Sequence, residues 1–186
     1  MSTVYSTQND LLMKNLLNFY EDKKNLNTML DVINGNTKIS LRILDWFVTN
    51  YSKKNYTSYQ LDDGSRFKVY IDYRLQLKAY QKKRFDPFCR WERISIPYSE
   101  NECIQTTIGQ INFFRWAIEK EILDYINDHY EDIENDMNSR NSTSKRKNSI
   151  EITNGNNKTR KKREELSIYA SKSIKKEKVE VVIKFN

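Results

Sequence analysis

Apolar residues in the first third of the chain recur at steps of three or four, the spacing of a helix that buries one face. Residues 10–34 follow this rhythm, with a break at "EDKKN" and a glycine, Gly35, at the end, so they predict one or two helices. Ser40 stands before a second apolar stripe, "LRILDWFVTNYSKK" at 41–54, which predicts a capped helix of about 14 residues. Gly64 in "LDDGSR" predicts the turn that ends this helical third.

From Phe67 onward the apolar positions alternate with polar ones, which is the period of a β-strand. The odd positions from 67 to 79 are all apolar or aromatic, so the segment predicts a long strand, or a bulged pair, with one side buried. Pro87 cannot donate to a sheet ladder and predicts a strand end or an edge bend. Apolar residues around Trp91 and Ile96 predict a second strand, giving an antiparallel hairpin near 67–97.

A capping box opens the next element. Thr107 and Gln110 have the spacing in which the Thr oxygen accepts an amide proton while the Gln side chain reaches back. Apolar residues then recur at helical steps as far as Met137, which predicts one long helix near 107–137. At 1.5 Å per residue that helix would be about 46 Å long, so we expect its far end to project or bend.

The composition changes after residue 137. Residues 138–163 are rich in Asn, Ser and basic residues, which predicts a flexible basic linker. Residues 164–186 form a C-terminal segment in which Val179 and Val181 begin an alternating strand pattern, and we expect that strand to return to the hairpin edge. The sequence thus predicts an α+β fold with a single domain over 1–137: N-terminal helices, and a short antiparallel sheet packed with one long helix.

Composition supports a folded protein and favours an anionic partner. The chain is 38% apolar and 12% aromatic, and its net charge is +7. The chain has no apolar run long enough for a membrane helix and no secretory signal pattern, so we expect no membrane partner and a soluble, intracellular protein. The two cysteines, Cys89 and Cys103, fit reduced thiols.

Residues for catalysis are sparse. His129 is the single histidine, and the four glycines are scattered, so the sequence offers neither a zinc site nor a phosphate loop nor a nucleophilic triad. We therefore predict no enzymatic activity, no catalytic residue, no metal and no cofactor. Residues 119–136 carry eight Asp or Glu against one Lys. Asp124 and Asp128 could hold a hard cation in a nuclease, although a solvated acidic face explains the same pattern.

Residues 68–93 carry eight Lys or Arg against three Asp or Glu. On a strand, alternate side chains would form a basic row with tyrosines among them, which suits phosphates and stacked bases. The solvated outer face of a strand explains the same residues. The predicted nucleic-acid-binding residues of this segment are Lys68, Tyr70, Arg74, Lys78, Tyr80, Lys82, Lys83, Arg84, Arg90 and Arg93.

Two further basic clusters lie twelve residues apart in the predicted linker. They are typical of a bipartite nuclear localisation signal and of a phosphate-binding arm, and a plain solvated linker would also contain them. As candidate nucleic-acid-binding residues they are Lys145, Arg146 and Lys147, then Arg160, Lys161, Lys162 and Arg163. The neighbouring acidic helix end suggests a hypothesis: it holds this arm when nucleic acid is absent.

Three stretches carry a family resemblance: "ISLRILDWFVTNYSKKN", "FDPFCRWERI" and "TTIGQINFFRWAIEKEILDYI". With them the chain resembles an uncharacterised family of large nucleocytoplasmic DNA viruses over residues 39–137, plus the tail "SIYASKSIKKEKVEVVIKF". The resemblance brings no catalytic residues. It implies a protein of the virus factory, nucleus or virion that works near a large DNA genome.

Two functions are compatible with these observations. The first is a non-enzymatic, nucleic-acid-associated accessory protein. The second is a virion structural or protein-interaction module, whose partners are other viral proteins or further copies of the chain.

Overall fold

In a computed structural model of the chain, the backbone is described for residues 7–91, 93–99, 102–151 and 175–178, and side chains for 7–91, 93–97 and 103–140. The helices are α1 (Gln8–Glu21), α2 (Lys23–Asn34), α3 (Leu41–Trp46), a π-helical turn (Phe47–Tyr51), α4 (Ser52–Lys54), α5 (Val69–Arg84), α6 (Ile108–Glu119), α7 (Ile122–Asp128) and α8 (Tyr130–Glu151). The strands are β1 (Ser58–Gln60), β2 (Arg66–Lys68), β3 (Arg93–Ser99), β4 (Glu102–Thr107) and β5 (Lys175–Lys178).

The N-terminal helices begin and end where the sequence predicts. Asp22 separates α1 from α2 and caps α2, because its carboxylate accepts the Lys24 amide at 2.8 Å. Gly35 ends α2 in the left-handed conformation, at φ 75°. Ser40 caps α3, and helical backbone continues through the π-helical turn and α4 to Lys54, as the sequence predicts for 41–54.

The strand predicted from Phe67 to Ala79 is wrong beyond Lys68, because Val69–Arg84 is helix α5. The apolar positions 69, 73 and 77 are four residues apart, a step that fits both a helix and an alternating strand. Val69 and Tyr73 are buried, whereas Ile71 and Leu75 are 55% and 58% exposed. The odd positions therefore lie on two different sides of a helix.

The single long helix predicted over 107–137 is also wrong, since it is broken twice. Glu121 has a positive φ of 53° between α6 and α7, and His129 separates α7 from α8. At the first break the Tyr59 hydroxyl donates to the Lys120 carbonyl at 2.6 Å, and the Glu121 carboxylate accepts the Asp62 amide at 3.1 Å. The β1–β2 hairpin thus binds polar groups that the break exposes.

Helix α8 extends into the predicted flexible linker. Its backbone is helical to Glu151, so the linker predicted from residue 138 does not begin there. Residues 130–151 contain neither Gly nor Pro, so nothing in their backbone chemistry interrupts the helix. Residues 152–163 lie outside the described part of the chain.

The fold is α+β, as predicted, with two antiparallel sheets. The hairpin predicted near 67–97 is replaced by a hairpin of β3 and β4, because residues 69–84 are helical. β1 pairs with β2 in one sheet, and β3, β4 and β5 pair in that order in the other. Ile96 lies opposite Ile104 across β3 and β4, and Cys103 lies opposite Glu177 across β4 and β5. A C-terminal strand therefore returns to the hairpin edge. The alternating residues from Val179 onward lie outside the described residues.

Helix α6 occupies the centre of the core. Ile111, Phe113, Phe114 and Ala117 are fully buried there, and Trp116 packs among aromatic rings from α5 and the loop after it. Burial of these apolar and aromatic side chains stabilises the fold. Among the described helices, none is both long and apolar enough to cross a membrane.

Candidate ligand-binding cleft and basic surface

A cleft of about 760 Å³ opens between helix α3 with its π-helical turn, the C-terminal half of α5, and the loop that follows α5. That loop, residues 85–91, is here called the FDPFCRW loop. The cleft is lined by Arg42, Asp45, Trp46, Thr49, Asn50, Tyr73, Leu77, Lys82, Lys83, Asp86, Phe88, Cys89, Arg90 and Trp91.

The FDPFCRW loop is held in place by the first turn of α6. Gln110 Nε2 donates to the Pro87 carbonyl at 3.0 Å, and Asn112 Nδ2 donates to the Arg84 carbonyl at 2.9 Å. The Thr107 hydroxyl caps α6 by accepting the Gln110 amide at 3.3 Å, which is one half of the predicted capping box. The other half is not formed as predicted, because the Gln110 side chain bonds to the Thr106 hydroxyl and the Pro87 carbonyl instead of reaching back to the Thr107 amide. Gln110 and Asn112 are buried, so these bonds satisfy backbone groups that a buried loop would otherwise leave unpaired.

Gly109 allows the loop to lie this close to α6. A Cβ atom at Gly109 would come within 2.9 Å of the Cys89 Cβ and 3.1 Å of the Lys83 carbonyl oxygen. The Asp86 amide donates to the Gly109 carbonyl at 3.3 Å, and Cys89 Sγ lies 3.3 Å from the same Lys83 carbonyl. One wall of the cleft is therefore fixed by backbone contact.

The end of α5 turns the basic residues toward the cleft. Gln81 has φ 60° and ψ 165°, a conformation that kinks the helix before Lys82 and Lys83. Beyond the kink, Phe85 is fully buried against Tyr73.

Two carboxylates, Asp45 and Asp86, line the cleft. Burial, reinforced by the negative charge of Asp86, raises the pKa of Asp45 to about 7, and Lys82 opposes that rise. Asp86 Oδ1 accepts the Phe88 amide at 2.8 Å, whereas none of the described residues donates a hydrogen bond to the Asp45 carboxylate. Asp45 is therefore the half-buried acid available to a molecule in the cleft.

Cations and indoles surround these acids. Arg42, Lys82, Lys83 and Arg90 are exposed at the cleft. Trp91 is 66% exposed, and the Lys83 ammonium lies 5.4 Å from its ring centre. Such an exposed indole beside cations is available for stacking.

The predicted nucleic-acid-binding residues of segment 68–93 do not form the row along one strand that the sequence predicts; they lie on β2, α5, the FDPFCRW loop and β3. Lys68 ends β2, Arg74 and Lys78 lie one turn apart on the outer face of α5, and Arg93 begins β3. The exposed cations of this segment, here called the basic surface, are Lys68, Arg74, Lys78, Lys82, Lys83, Arg90 and Arg93.

Three predicted residues do not join the basic surface fully. Tyr70 and Tyr80 are half-buried and Tyr80 stacks on Phe85, so the expected row of exposed tyrosines is wrong. Arg84 is also half-buried. The cause is helix α5, which places Tyr80 on the core side instead of between Lys78 and Lys82.

The basic surface is not neutralised by the ion pairs found among the described side chains. Those pairs join Lys54 to Asp136, Arg115 to Glu119 and Arg140 to Asp136. None of them uses a cation of the basic surface.

The predicted basic arm is only partly described. Lys145, Arg146 and Lys147 lie on the last turns of α8, where only the backbone is described. Arg160, Lys161, Lys162 and Arg163 lie outside the described residues. The hypothesis that the acidic helix end holds this arm therefore stays a prediction.

The acidic segment 119–136 is joined to the helices beside the cleft through Asp136. Asp136, on α8, accepts from Lys54 Nζ at 2.6 Å and from Trp46 Nε1 at 3.1 Å, which joins α8 to the helix beside the cleft. Asp124 and Asp128 are exposed, and within the described residues no three His, Cys, Asp or Glu side chains converge as metal ligands.

The sequence prediction missed the cleft itself, and of its lining residues it named only Lys82, Lys83 and Arg90 as binding residues. Arg42, Asp45, Trp46 and Trp91 are among those it missed. Asp45 carried a signal, because a carboxylate between Leu44 and Trp46 interrupts an otherwise apolar stripe. No local pattern, however, brings α3 beside the FDPFCRW loop, which lies about 40 residues later in the sequence.

Fold and site together define an α+β protein whose cleft is lined by exposed cations and by two half-buried carboxylates. The chain belongs to a family described as a family of unknown function (DUF7197), which matches residues 3–184. It is 44% identical over 135 residues to the uncharacterized protein L507 of Acanthamoeba polyphaga mimivirus, covering 68% of this chain and 52% of that protein.

The predicted resemblance to an uncharacterised giant-virus family is thereby confirmed. The chain spans about half the length of this curated relative. No solved structure matches the chain.

Proposed function

We propose that this viral protein is a non-enzymatic accessory protein that binds the phosphate backbone of nucleic acid through its basic surface. The observation that carries the proposal is a set of exposed cations on the outer face of α5 and on the following loop. Their charge is not neutralised by any ion pair among the described side chains. Phosphates are the commonest polyanionic partners of such surfaces.

The spacing of these cations suits a linear polyanion. Arg74 and Lys78 are about 6 Å apart along the axis of α5. Beyond the kink at Gln81, Lys82 and Lys83 turn toward the cleft, where Arg90 of the loop joins them. Trp91 supplies the exposed aromatic ring on which a base could stack, the role that the sequence had given to Tyr70 and Tyr80.

The basic arm would add affinity without new specificity. Each phosphate that a Lys or Arg neutralises contributes a salt-sensitive increment to binding. The clusters at 145–147 and 160–163 lie beyond the cleft along the chain and carry seven cations. We place the protein where its nucleic acid lies, in the host cytoplasmic virus factory or nucleus, with packaging in the virion as a further location.

The direct test is a titration of single-stranded DNA, duplex DNA and RNA probes at two salt concentrations. Changing Arg74 and Lys78 to Glu should weaken binding at least tenfold and flatten the salt dependence by about two phosphate equivalents. The matched control changes the exposed Lys14 and Lys38 to Glu, which alters net charge equally. Equal losses in both variants, or no binding by the unaltered chain, would overturn the proposal.

A second experiment isolates the arm. Replacing Lys145, Arg146, Lys147 and residues 160–163 by Gln keeps the chain length and removes seven positive charges. The proposal expects weaker binding and a shallower salt slope. Unchanged affinity and slope would show that the arm takes no part.

One observation favours a protein-interaction module as the second candidate. Ile71 and Leu75 are 55% and 58% exposed on the same outer face as Arg74 and Lys78. An exposed apolar pair on a helix is a common contact for a partner subunit. Sedimentation of the unaltered chain and of an Ile71→Ser, Leu75→Ser variant tests it: concentration-dependent association that the variant abolishes would favour this function.

A further inference from the structure

We infer that the cleft beside Asp45 binds one nucleotide unit, with its phosphate at the cations of the rim, its base against Trp91, and the amino edge of that base toward the Asp45 carboxylate. The inference rests on the proposed function and deepens it, because it adds a base-reading site to a surface that otherwise reads only phosphates.

The first step is the size and rigidity of the cleft. At about 760 Å³ it lies within the range of sites that hold a small organic ligand. Gln110 and Asn112 fix its loop wall by hydrogen bonds to the backbone, and Gly109 packs directly on Cys89. A preformed wall lowers the entropic cost of binding.

The second step is the order of charge from rim to floor. Arg42, Lys82, Lys83 and Arg90 are exposed, whereas Asp45 is half-buried. A simple anion would be repelled by Asp45 and Asp86 as it entered, and a simple cation would be repelled at the rim. The complementary ligand carries negative charge at one end and hydrogen-bond donors at the other.

The third step is what lies between the two ends. Trp91 is 66% exposed, and Trp46 and Tyr73 also line the cleft. A flat ring between the phosphate and the donors therefore fits the walls. A nucleotide whose base carries an exocyclic amino group has this order of parts: phosphate, sugar, flat base and N–H donors.

The fourth step concerns the Asp45 carboxylate, to which no described residue donates a hydrogen bond. Because Asp45 lines the cleft, a ligand that donates hydrogen bonds to its carboxylate can take the place of solvent there. Its raised pKa, caused by burial and Asp86, leaves a mixture of donor and acceptor forms near neutral pH. Carboxylates accept hydrogen bonds from the amino group of cytosine, and an amino edge on adenine or guanine offers similar donors.

The test uses the full chain and the four deoxynucleoside 5′-monophosphates, measured by calorimetry and by quenching of tryptophan fluorescence. Thymine offers a carbonyl where cytosine offers an amino group, so at pH 8, where the Asp45 carboxylate is mostly ionised and accepts hydrogen bonds, dCMP should bind at least tenfold more tightly than dTMP. The isosteric variant Asp45→Asn should remove that preference. A variant that merely disturbed the cleft would weaken both ligands and leave their ratio unchanged.

Two further variants separate the contributions. Trp91→Ala should weaken all four nucleotides about equally, because stacking tolerates any base. Lys14→Glu with Lys38→Glu should leave mononucleotide binding unchanged, since neither residue lines the cleft or belongs to the basic surface.

The outcomes also separate the two hypotheses. Equal affinity for dCMP, dTMP and ribose 5-phosphate would reduce the cleft to a phosphate site and overturn the inference. Long probes that bind with a steep salt slope while mononucleotides do not bind would overturn it too, with the proposed function intact. Base-selective mononucleotide binding without binding of long probes would support the cleft and reject the proposed function.

Discussion

The Gln110 side chain donates a 3.0 Å hydrogen bond to the backbone carbonyl of Pro87, 23 residues earlier in the chain. Its own oxygen accepts from the Thr106 hydroxyl at 3.2 Å, so the buried amide links the end of β4 to the FDPFCRW loop. A polar residue at the start of α6 is buried here because it replaces the water that the loop backbone would otherwise bind.

Replacing Gln110 by Ala should therefore destabilise the protein. The Pro87 carbonyl would lose its buried partner and a small cavity would form, at a cost of about 2 kcal/mol. Urea unfolding at neutral pH measures this cost. The exposed Gln8 on α1, changed to Ala, is the control, with an expected effect below about 0.5 kcal/mol. A loss no larger than that of the control would contradict the anchoring role of Gln110.

Gly109→Ala should be costly for a different reason. The new methyl group would lie 2.9 Å from the Cys89 Cβ and 3.1 Å from a backbone oxygen that cannot move alone, so the loop must shift at a cost of about 1–3 kcal/mol. Gly35→Ala meets nothing within 4 Å and loses only the glycine preference for its positive φ, about 1 kcal/mol. The midpoint of thermal unfolding should therefore be lower for Gly109→Ala than for Gly35→Ala. The reverse order would reject the close approach of the FDPFCRW loop to α6.

How much of this could be read from the sequence depends on whether the signal is local. The caps at Asp22 and Ser40 and the end at Gly35 are local, and they were predictable from residue type. Helix α5 was not, because its apolar residues lie four apart on the buried side while Ile71 and Leu75 continue the alternation on the outside. Sequence identifies the cations of the basic surface, whereas the neighbours of Asp45 come from segments far apart in sequence.

The kink at Gln81 predicts that changing Gln to Gly has opposite effects on stability at two positions of α5. Its φ of 60° and ψ of 165° lie in a region that glycine adopts with little strain, so Gln81→Gly should stabilise the protein by up to about 1 kcal/mol. The same change at Gln76, inside the regular part of α5, should destabilise it by about 1 kcal/mol. The denaturant midpoints of the two variants and of the unaltered chain measure both effects. Destabilisation by both changes would mean that Gln81 carries no strain.

The contact between Asp136 and Lys54 should weaken in acid. Burial acts to raise the pKa of Asp136, but hydrogen bonds from Lys54 and Trp46 outweigh it and hold that pKa below the usual 3.8. A lowered folded-state pKa stabilises the protein above pH 3.8, and the gain is lost as pH falls through the folded-state pKa. Lys54→Met should therefore cost about 1 kcal/mol at pH 7 and less near pH 3, with Lys38→Met as the exposed control. A cost that does not change with pH would reject the pairing.

Asp45 should give the opposite pH dependence. Its folded-state pKa, raised to about 7 by burial and by the charge of Asp86, lies above the model-compound value of 3.8. Folding therefore takes up a proton between those two values, and the stability that Asp45 contributes falls as pH rises through that window. Asp86 raises and Lys82 lowers this pKa, and the other titratable or charged groups that line the cleft are Lys83, Arg42, Arg90 and Tyr73.

Asp45→Asn removes the titration while keeping the shape of the side chain. We expect the free energy of unfolding of the variant, relative to the unaltered chain, to rise between pH 5 and pH 8 by on the order of 2 kcal/mol. Thr49→Ala, another change in the cleft lining but without a titrating group, should show a difference that stays constant with pH. Urea titrations at several pH values measure both. A constant difference for Asp45→Asn would mean that the acid is solvated, and the cleft would then lose the half-buried carboxylate on which base recognition depends.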